Sequence, residues 1–184
     1  MTEGTGIHPR WAKDHAGMVA DTNRHPRMRA ALAASFIPAG SRVLDLGCGA
    51  MPLREHLPEG CSYTPSDIWK RHPDIVPADL NKGEFPDGEW DVIAMLGVAA
   101  YLETPSLVLR TARERAPMLI LSTSLWPILT HRSVRHAEAR GQVNFWRLPD
   151  LTSLLRRSGW TIEKRTAVRR PRSWLMQETM FVCK

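Results

Sequence analysis

The sequence predicts one α/β domain: a doubly wound, mostly parallel sheet of seven strands with helices on both faces and an antiparallel hairpin strand at its C-terminal edge. Three observations lead there. Strand-like runs alternate with helical stretches along most of the chain, the signature of β-α-β units. The last two strand patterns, 160–168 and 178–183, have no helix between them, so they pair antiparallel. The 184 residues are enough for one domain with a sizeable core and too few for two ordinary ones.

The elements follow in order. Residues 1–24 read as a loose arm with one short helix at 11–19. A helix at 26–36, rich in Ala, Met and Leu, is stopped by Pro38-Ala39-Gly40. The strand RVLDL at 42–46 runs into glycines, and a helix is expected at 51–57. Strands follow at 61–65, 74–77 (the weakest) and 91–95. A helix at 105–115 leads to the strand MLILS at 118–122. Helices at 131–140 and 148–158, the latter amphipathic and closed by Gly159, precede the final strands, which are joined by a turn containing Pro171. Segment 1–40 is thus a helical arm or lid, and 41–184 the core of a single domain.

Composition bounds the function. Hydrophobic residues are 43% and charged residues 24% of the chain, an ordinary globular balance. No run approaches the roughly 18 apolar residues of a membrane span. The first 25 residues have no apolar stretch of the secretory kind, so a cytoplasmic protein is expected. Cys48, Cys61 and Cys183 are scattered without C-x-x-C spacing, which argues against a disulfide framework and against a zinc site. A net charge of +6 favours an anionic partner. Lys164, Arg165, Arg169, Arg170 and Arg172 form the densest basic set and read first as a solvated hairpin tip.

The most informative segment is Val43-Leu44-Asp45-Leu46-Gly47-Cys48-Gly49-Ala50-Met51-Pro52. A strand enters Gly-x-Gly and a helix is expected after it, placing a ligand against bare backbone at a strand's carboxyl end. Asp45 would repel a pyrophosphate and attract an ammonium group. Pro52 stands where a dinucleotide fingerprint needs its third glycine. Both features disfavour a nicotinamide cofactor.

VLDLGCG at 43–49 resembles the first motif of class I S-adenosyl-L-methionine (SAM)-dependent methyltransferases, with Met51 where the family carries a small residue or glycine. The resemblance continues through most of the chain and implies a Rossmann-like fold. It assigns Asp45, Gly47, Cys48 and Gly49 to the methionine side of SAM. Asp67, 22 positions after Asp45, would accept both ribose hydroxyls, and Ile68 would pack on adenine. Asp79 would accept from the adenine amino group and the Leu80 backbone would contact the ring. Leu96 and Tyr101 would lie beside the methionine end, in and after the fourth strand. Asn144-Phe145-Trp146 and Ser158-Gly159-Trp160 resemble late motifs of the same family.

The function so implied is methyl transfer from SAM to an O or N atom of a small-molecule acceptor, leaving S-adenosyl-L-homocysteine (SAH). An acceptor with negative charge suits the basic chain. A general base is not identified. His8, His15, His131 and His136 lie in segments able to cap the cleft, and Trp11, Trp126 and Trp174 in segments able to line it. A partly open cleft, closed by the arm or by the partner subunit of a homodimer, fits so short a chain. The alternatives are an RNA- or protein-directed methyltransferase, for which Leu96-Gly97-Val98-Ala99 lacks the N-P-P-Y pattern of amino-directed nucleic-acid methylation, and a non-catalytic SAM-binding protein.

Overall fold

A computed structural model describes residues 24–128, 130–139, 141–168 and 177–184. The expected helix at 11–19, the rest of the arm before residue 24 and the hairpin tip with Pro171 lie outside the described residues. Seven strands, β1 (Arg42–Leu46), β2 (Ser62–Asp67), β3 (Val76–Pro77), β4 (Val92–Leu96), β5 (Met118–Leu125), β6 (Ile162–Ala167) and β7 (Gln177–Cys183), form one sheet. Its order is β3-β2-β1-β4-β5-β7-β6. The first five strands pair in parallel, and β7 lies antiparallel between β5 and β6. The α/β, doubly wound sheet with its antiparallel edge is therefore the observed fold.

Alternation along each strand splits the core into two layers. Val43, Val92, Ala94, Ile120 and Met180 face one side, against Ala30, Ala33 and Ala34 of α1 (Arg24–Ala34) and Ile37 beyond it. Leu44, Ile93, Met95, Leu119, Leu121 and Phe181 face the other, under α2 (Pro105–Arg115) and α4 (Leu148–Arg157). Small residues on α1 let that helix sit close to the sheet. α2 and α4 bring larger anchors: Val108, Leu109, Leu151, Leu154 and Leu155 are all buried, each worth about 1.5–3 kcal/mol against exposure. Both helices have Pro in the first turn, where its missing N–H costs nothing, and Arg in the last, where positive charge suits the dipole. Trp160 is 1% exposed and closes this layer. Its Nε1 donates to Leu109 O at 3.0 Å, and Arg113 lies 5.2 Å over its ring. A shorter helix, α3 (His131–Glu138), follows β5.

The connections among β1, β2, β3 and β4 carry no α-helix. The helix expected at 51–57 is a 3₁₀ segment, Pro52–His56. Met51 takes a left-handed conformation (φ 58°, ψ 40°) immediately before Pro52. Leu53 is the segment's one buried residue, too little apolar contact to hold a longer helix. The far face of β2 consequently opens into a cleft of about 550 Å³ lined by Arg54, Leu57, Tyr63, Thr64, Pro65 and Asp74 among others.

Candidate active site

Strand order reverses between β1 and β4, and their carboxyl ends face the crevice where α/β sheets bind ligands. β1 ends in Gly47 (φ 71°) and β4 in Gly97 (φ 87°). A Cβ at Gly47 would collide with Val98 Cγ2, and one at Gly97 with Arg29 Nη1. The positive φ favours glycine at these two places, and a side chain there would also have to displace Val98 or the Arg29 guanidinium. The loop after β1 thus rests on the turn after β4, and that turn rests on α1.

The loop's donors are already spent. Gly47 N and Cys48 N donate to Ser66 O at 2.8 and 3.0 Å, and Gly49 N donates to Asp67 Oδ2 at 3.0 Å. Three successive N–H groups therefore point back into the protein, the last of them onto a carboxylate. A pyrophosphate would meet repulsion here in place of free donors. The outer side of Gly49 is open: a Cβ there would meet nothing within 4 Å.

Asp67 is 7% exposed at the end of β2. Its Oδ1 accepts from Trp69 N at 3.0 Å, so both oxygens are fixed by backbone while lone pairs remain for further donors. Asp45 is 2% exposed. Its Oδ2 accepts from the Tyr63 hydroxyl at 2.7 Å. Burial pushes its pKa up to about 6, against the opposing pull of the Tyr63 hydrogen bond and the Arg29 charge. Cys48 is buried, and burial pushes its thiol pKa up, with Asp45 and Asp67 adding to the effect.

The remaining residues singled out from the sequence spread around these ends. Ile68 follows Asp67 and is half-buried. Asp79 caps the 3₁₀ turn Leu80–Lys82, accepting from Asn81 N at 3.1 Å through Oδ1, while its Oδ2 lies 3.9 Å from Lys82 Nζ. Leu80 packs against the α2 and α4 layer. Leu96 is 7% exposed at the end of β4, and Tyr101 closes the 3₁₀ turn Ala99–Tyr101. Trp126 is buried core. His131 is exposed. His8, His15, Trp11 and Trp174 lie outside the described residues, as does the side chain of His136.

Among the residues that join these parts, sequence reasoning missed Asn81 and Glu178 and singled out Asn144 only as part of a late motif. Asn81 Nδ2 donates to Tyr101 O at 3.1 Å and its Oδ1 accepts from Glu103 N at 2.9 Å, stitching the Leu80–Lys82 turn to the Ala99–Tyr101 turn. Asn144 Nδ2 donates to Leu102 O at 2.6 Å and to Ala99 O at 3.2 Å. Glu178, its side chain 8% exposed, takes His25 Nε2 at 2.7 Å and Arg29 Nη1 at 3.1 Å, and accepts from Ser122 Oγ at 3.1 Å. Burial raises its pKa, but the hydrogen bonds and charges of His25 and Arg29 prevail and hold it at about 2. The one local signal was the i, i+4 spacing of His25 and Arg29, which puts two basic groups on one stripe of α1.

These residues fit an adenosyl amino acid. The loop is bare at Gly49, the Asp67 carboxylate has lone pairs left, and Trp69 Nε1 is a buried donor without a partner. Glycine-floored strand ends flanked by fixed acids define a nucleoside-binding α/β protein. The methyltransferase-domain family profile matches residues 20–165, and the chain belongs to that family. It is a SAM-dependent methyltransferase. A search of curated proteins finds no match. Among solved structures, the Burkholderia thailandensis 1,6-didemethyltoxoflavin-N1-methyltransferase, with 1,6-didemethyltoxoflavin and SAH bound, is 16% identical at a TM-score of 0.67, with 94% of this chain and 84% of that one covered. A methyltransferase in complex with the Haloferax volcanii Trm112 methyltransferase activator is 15% identical at a TM-score of 0.69, covering 96% and 97%. The N-terminal domain of EvdMO1 with SAH bound is 17% identical at 0.60, covering 91% and 83%. At these identities the likeness is one of fold. Among the described residues no helix is long and apolar enough to cross a membrane.

Proposed function

We propose that this chain transfers the methyl group of SAM to an O or N atom of a small-molecule acceptor, holding the cofactor with Asp45, Gly47, Cys48, Gly49, Asp67, Ile68, Asp79, Leu80, Leu96 and Tyr101. The observation that carries the reading is Asp67: a nearly buried carboxylate, pinned by Gly49 N and Trp69 N at 3.0 Å each, beside a glycine loop whose Gly47, Cys48 and Gly49 N–H groups are already engaged. A carboxylate so placed accepts paired hydroxyls. Bound SAM supplies an electrophilic methyl on a sulfonium. The chain's own part is to hold the nucleoside with Asp67 and the Leu80–Lys82 turn, to keep the loop fixed through Ser66, and to align the acceptor over the β4 turn, where positioning supplies much of the rate.

A small acceptor is favoured by the lack of any large inserted segment between described elements, and by the 1,6-didemethyltoxoflavin bound to one fold relative. The one-domain arrangement, with 1–40 as arm and 41–184 as core, belongs to the same proposal, as does closure of the cleft by the arm or a second copy. A cytoplasmic setting fits three cysteines that are all free.

Calorimetric titration tests the cofactor assignment. SAH binds the wild-type protein and NADH does not; the reverse result overturns the reading. Asp67→Ala weakens SAH binding by about 1–3 kcal/mol, the usual loss for hydrogen bonds to a charged group. Unchanged affinity in that variant removes Asp67 from the ribose.

A further inference from the structure

We propose that Tyr63 is a positioning residue for the amino end of the cofactor: its hydroxyl holds Asp45 Oδ2, so that Asp45 Oδ1 is presented to the crevice as the acceptor for the ammonium group. The inference rests on the SAM reading and deepens it, since Tyr63 has no role there.

Strand register brings the two side chains together. On the parallel pair β1–β2, Val43 lies opposite Tyr63 and Asp45 opposite Pro65. Alternate residues share a sheet face, so Asp45 and Tyr63 are diagonal neighbours on the face that α1 covers. A diagonal of about 7–8 Å is within reach of an aromatic side chain. Phenylalanine would span it without a donor, and serine or threonine would carry a donor without the span. Tyrosine does both, and its Oη donates to Asp45 Oδ2 at 2.7 Å. The ring packs against the layer of Val43 and Leu53 and borders the cleft on the far face of β2. The hydroxyl thus approaches Asp45 from the outer part of the sheet, on the side away from β4.

Asp45 Oδ1 is left for a different partner. It accepts no hydrogen bond among the described residues and keeps some contact with solvent. Burial works against charge on this carboxyl and pushes its pKa up to about 6, and the Tyr63 hydrogen bond is the largest influence opposing that rise. Tyr63 itself stays a donor, because burial and then the Asp45 charge push its own ionisation upward. Among the described residues, the other titratable groups facing Asp45 are Arg29 from α1, Asp67 from the end of β2 and Cys48 from the loop. Arg29 favours the charged carboxylate and is itself tied to Glu178, which also holds His25. Asp67 disfavours it, and burial keeps the Cys48 thiol neutral. β4, on the other side of β1, is VIAML and presents no titratable group. Arg54 stands within electrostatic reach of Tyr63. Tyr63 therefore does two things for an ammonium ligand. It decides which oxygen is free, and it helps keep the carboxylate charged near neutral pH.

The test uses full-length protein and two probes, SAH and 5′-methylthioadenosine, which shares the adenosine and has no amino-acid part. In calorimetry on the wild type, SAH affinity falls as pH drops through about 6, where Asp45 takes up its proton, and 5′-methylthioadenosine affinity stays flat. Tyr63→Phe keeps the ring and moves the SAH fall about one to two pH units higher, as loss of a hydrogen bond to a charged group implies. At about pH 6.5 the variant binds SAH roughly three- to thirtyfold more weakly than the wild type, and at about pH 8.5 the gap narrows to about twofold. Its affinity for 5′-methylthioadenosine is unchanged. A flat wild-type SAH profile, a midpoint that does not move, or equal weakening of both probes each overturns the proposal, the last by showing that Tyr63 only packs. Should Tyr63→Phe fail to fold, carbon NMR of the wild type decides. The chain has two tyrosines, so with ring-labelled tyrosine the Tyr63 signal, assigned through Tyr101→Phe, shifts on SAH binding and stays in place with 5′-methylthioadenosine. The same response to both probes, or none, overturns the proposal. A wild type that binds neither probe sinks the SAM reading itself, a different outcome from an unmoved midpoint.

Discussion

The two halves of the sheet are held in different ways. Under β4, β5, β7 and β6, full α-helices bring rows of leucine and a buried tryptophan. Around β1, β2 and β3 the connections are loops and 3₁₀ turns, and side-chain carboxylates and asparagines do the fastening. One half is stabilised mainly by area removed from water, while the other adds to the buried Val43, Leu44, Leu46 and Leu53 a set of polar groups that must each find a partner. The polar half also carries Asp45 and Asp67, so residues that fasten it are also ones proposed to bind the cofactor.

Asp45 in one half and Glu178 in the other are both buried carboxylates, and their environments shift them oppositely. Asp45 has a neutral partner, Tyr63, and a raised pKa; Glu178 has cationic partners and a lowered one. The difference lies in the partners, since both are buried.

The largest expected effect breaks the helical half. Trp160→Ala leaves a cavity and removes the hydrogen bond to Leu109 O, and lowers unfolding free energy by about 3–5 kcal/mol in urea denaturation. Trp69→Ala, in the loop after β2 and half-buried, costs less than that; an equal cost erases the contrast between the halves. Next comes pH. Glu178, lowered from 4.5 to about 2, contributes stability that is present above about pH 4.5 and lost as pH falls through 2. Asp45, raised from 3.8 to about 6, binds more protons folded than unfolded between those values, so stability falls as pH rises from about 4 to 6. Each contribution is on the order of 3 kcal/mol. Glu178→Gln flattens the acid limb and Asp45→Asn the decline above it, read as melting temperature against pH. Asn144→Ala removes the hydrogen bonds to Leu102 O and Ala99 O, the latter keeping Trp146 Nε1, and costs about 1–3 kcal/mol, shown by the same denaturation. The smallest is Met51→Gly, which relieves a left-handed non-glycine residue and raises stability by up to about 1 kcal/mol.

Legibility in the sequence divides along the same line. α2 lies at 105–115 as expected, because proline at its start, arginine at its end and apolar spacing between are local signals. β5 runs on to Leu125, past the expected 122, because pairing with β7 extends it, and no local pattern shows that. The 3₁₀ segment at Pro52–His56 departs from the expected helix for want of buried contacts, a tertiary fact. Asp45 and Asp67 could be picked out because each ends a strand beside a recognisable motif. Asp79 was picked out by the same logic, and its Oδ1 caps a turn. Arg29, Glu178, Asn81 and Asn144 act across 20 to 149 positions, where periodicity carries no information.

Because β7 runs against its neighbours, its opening residues arrive at the edge where the parallel strands finish, and Glu178 meets Arg29 across 149 positions of chain. During synthesis at about 5–20 residues per second, α1 therefore waits roughly 7 to 30 s for the anion that anchors it. Until then the helix bearing His25 and Arg29 has only the more distant Asp45 as counter-charge on the sheet, so its anchoring contacts form only once β7 is made.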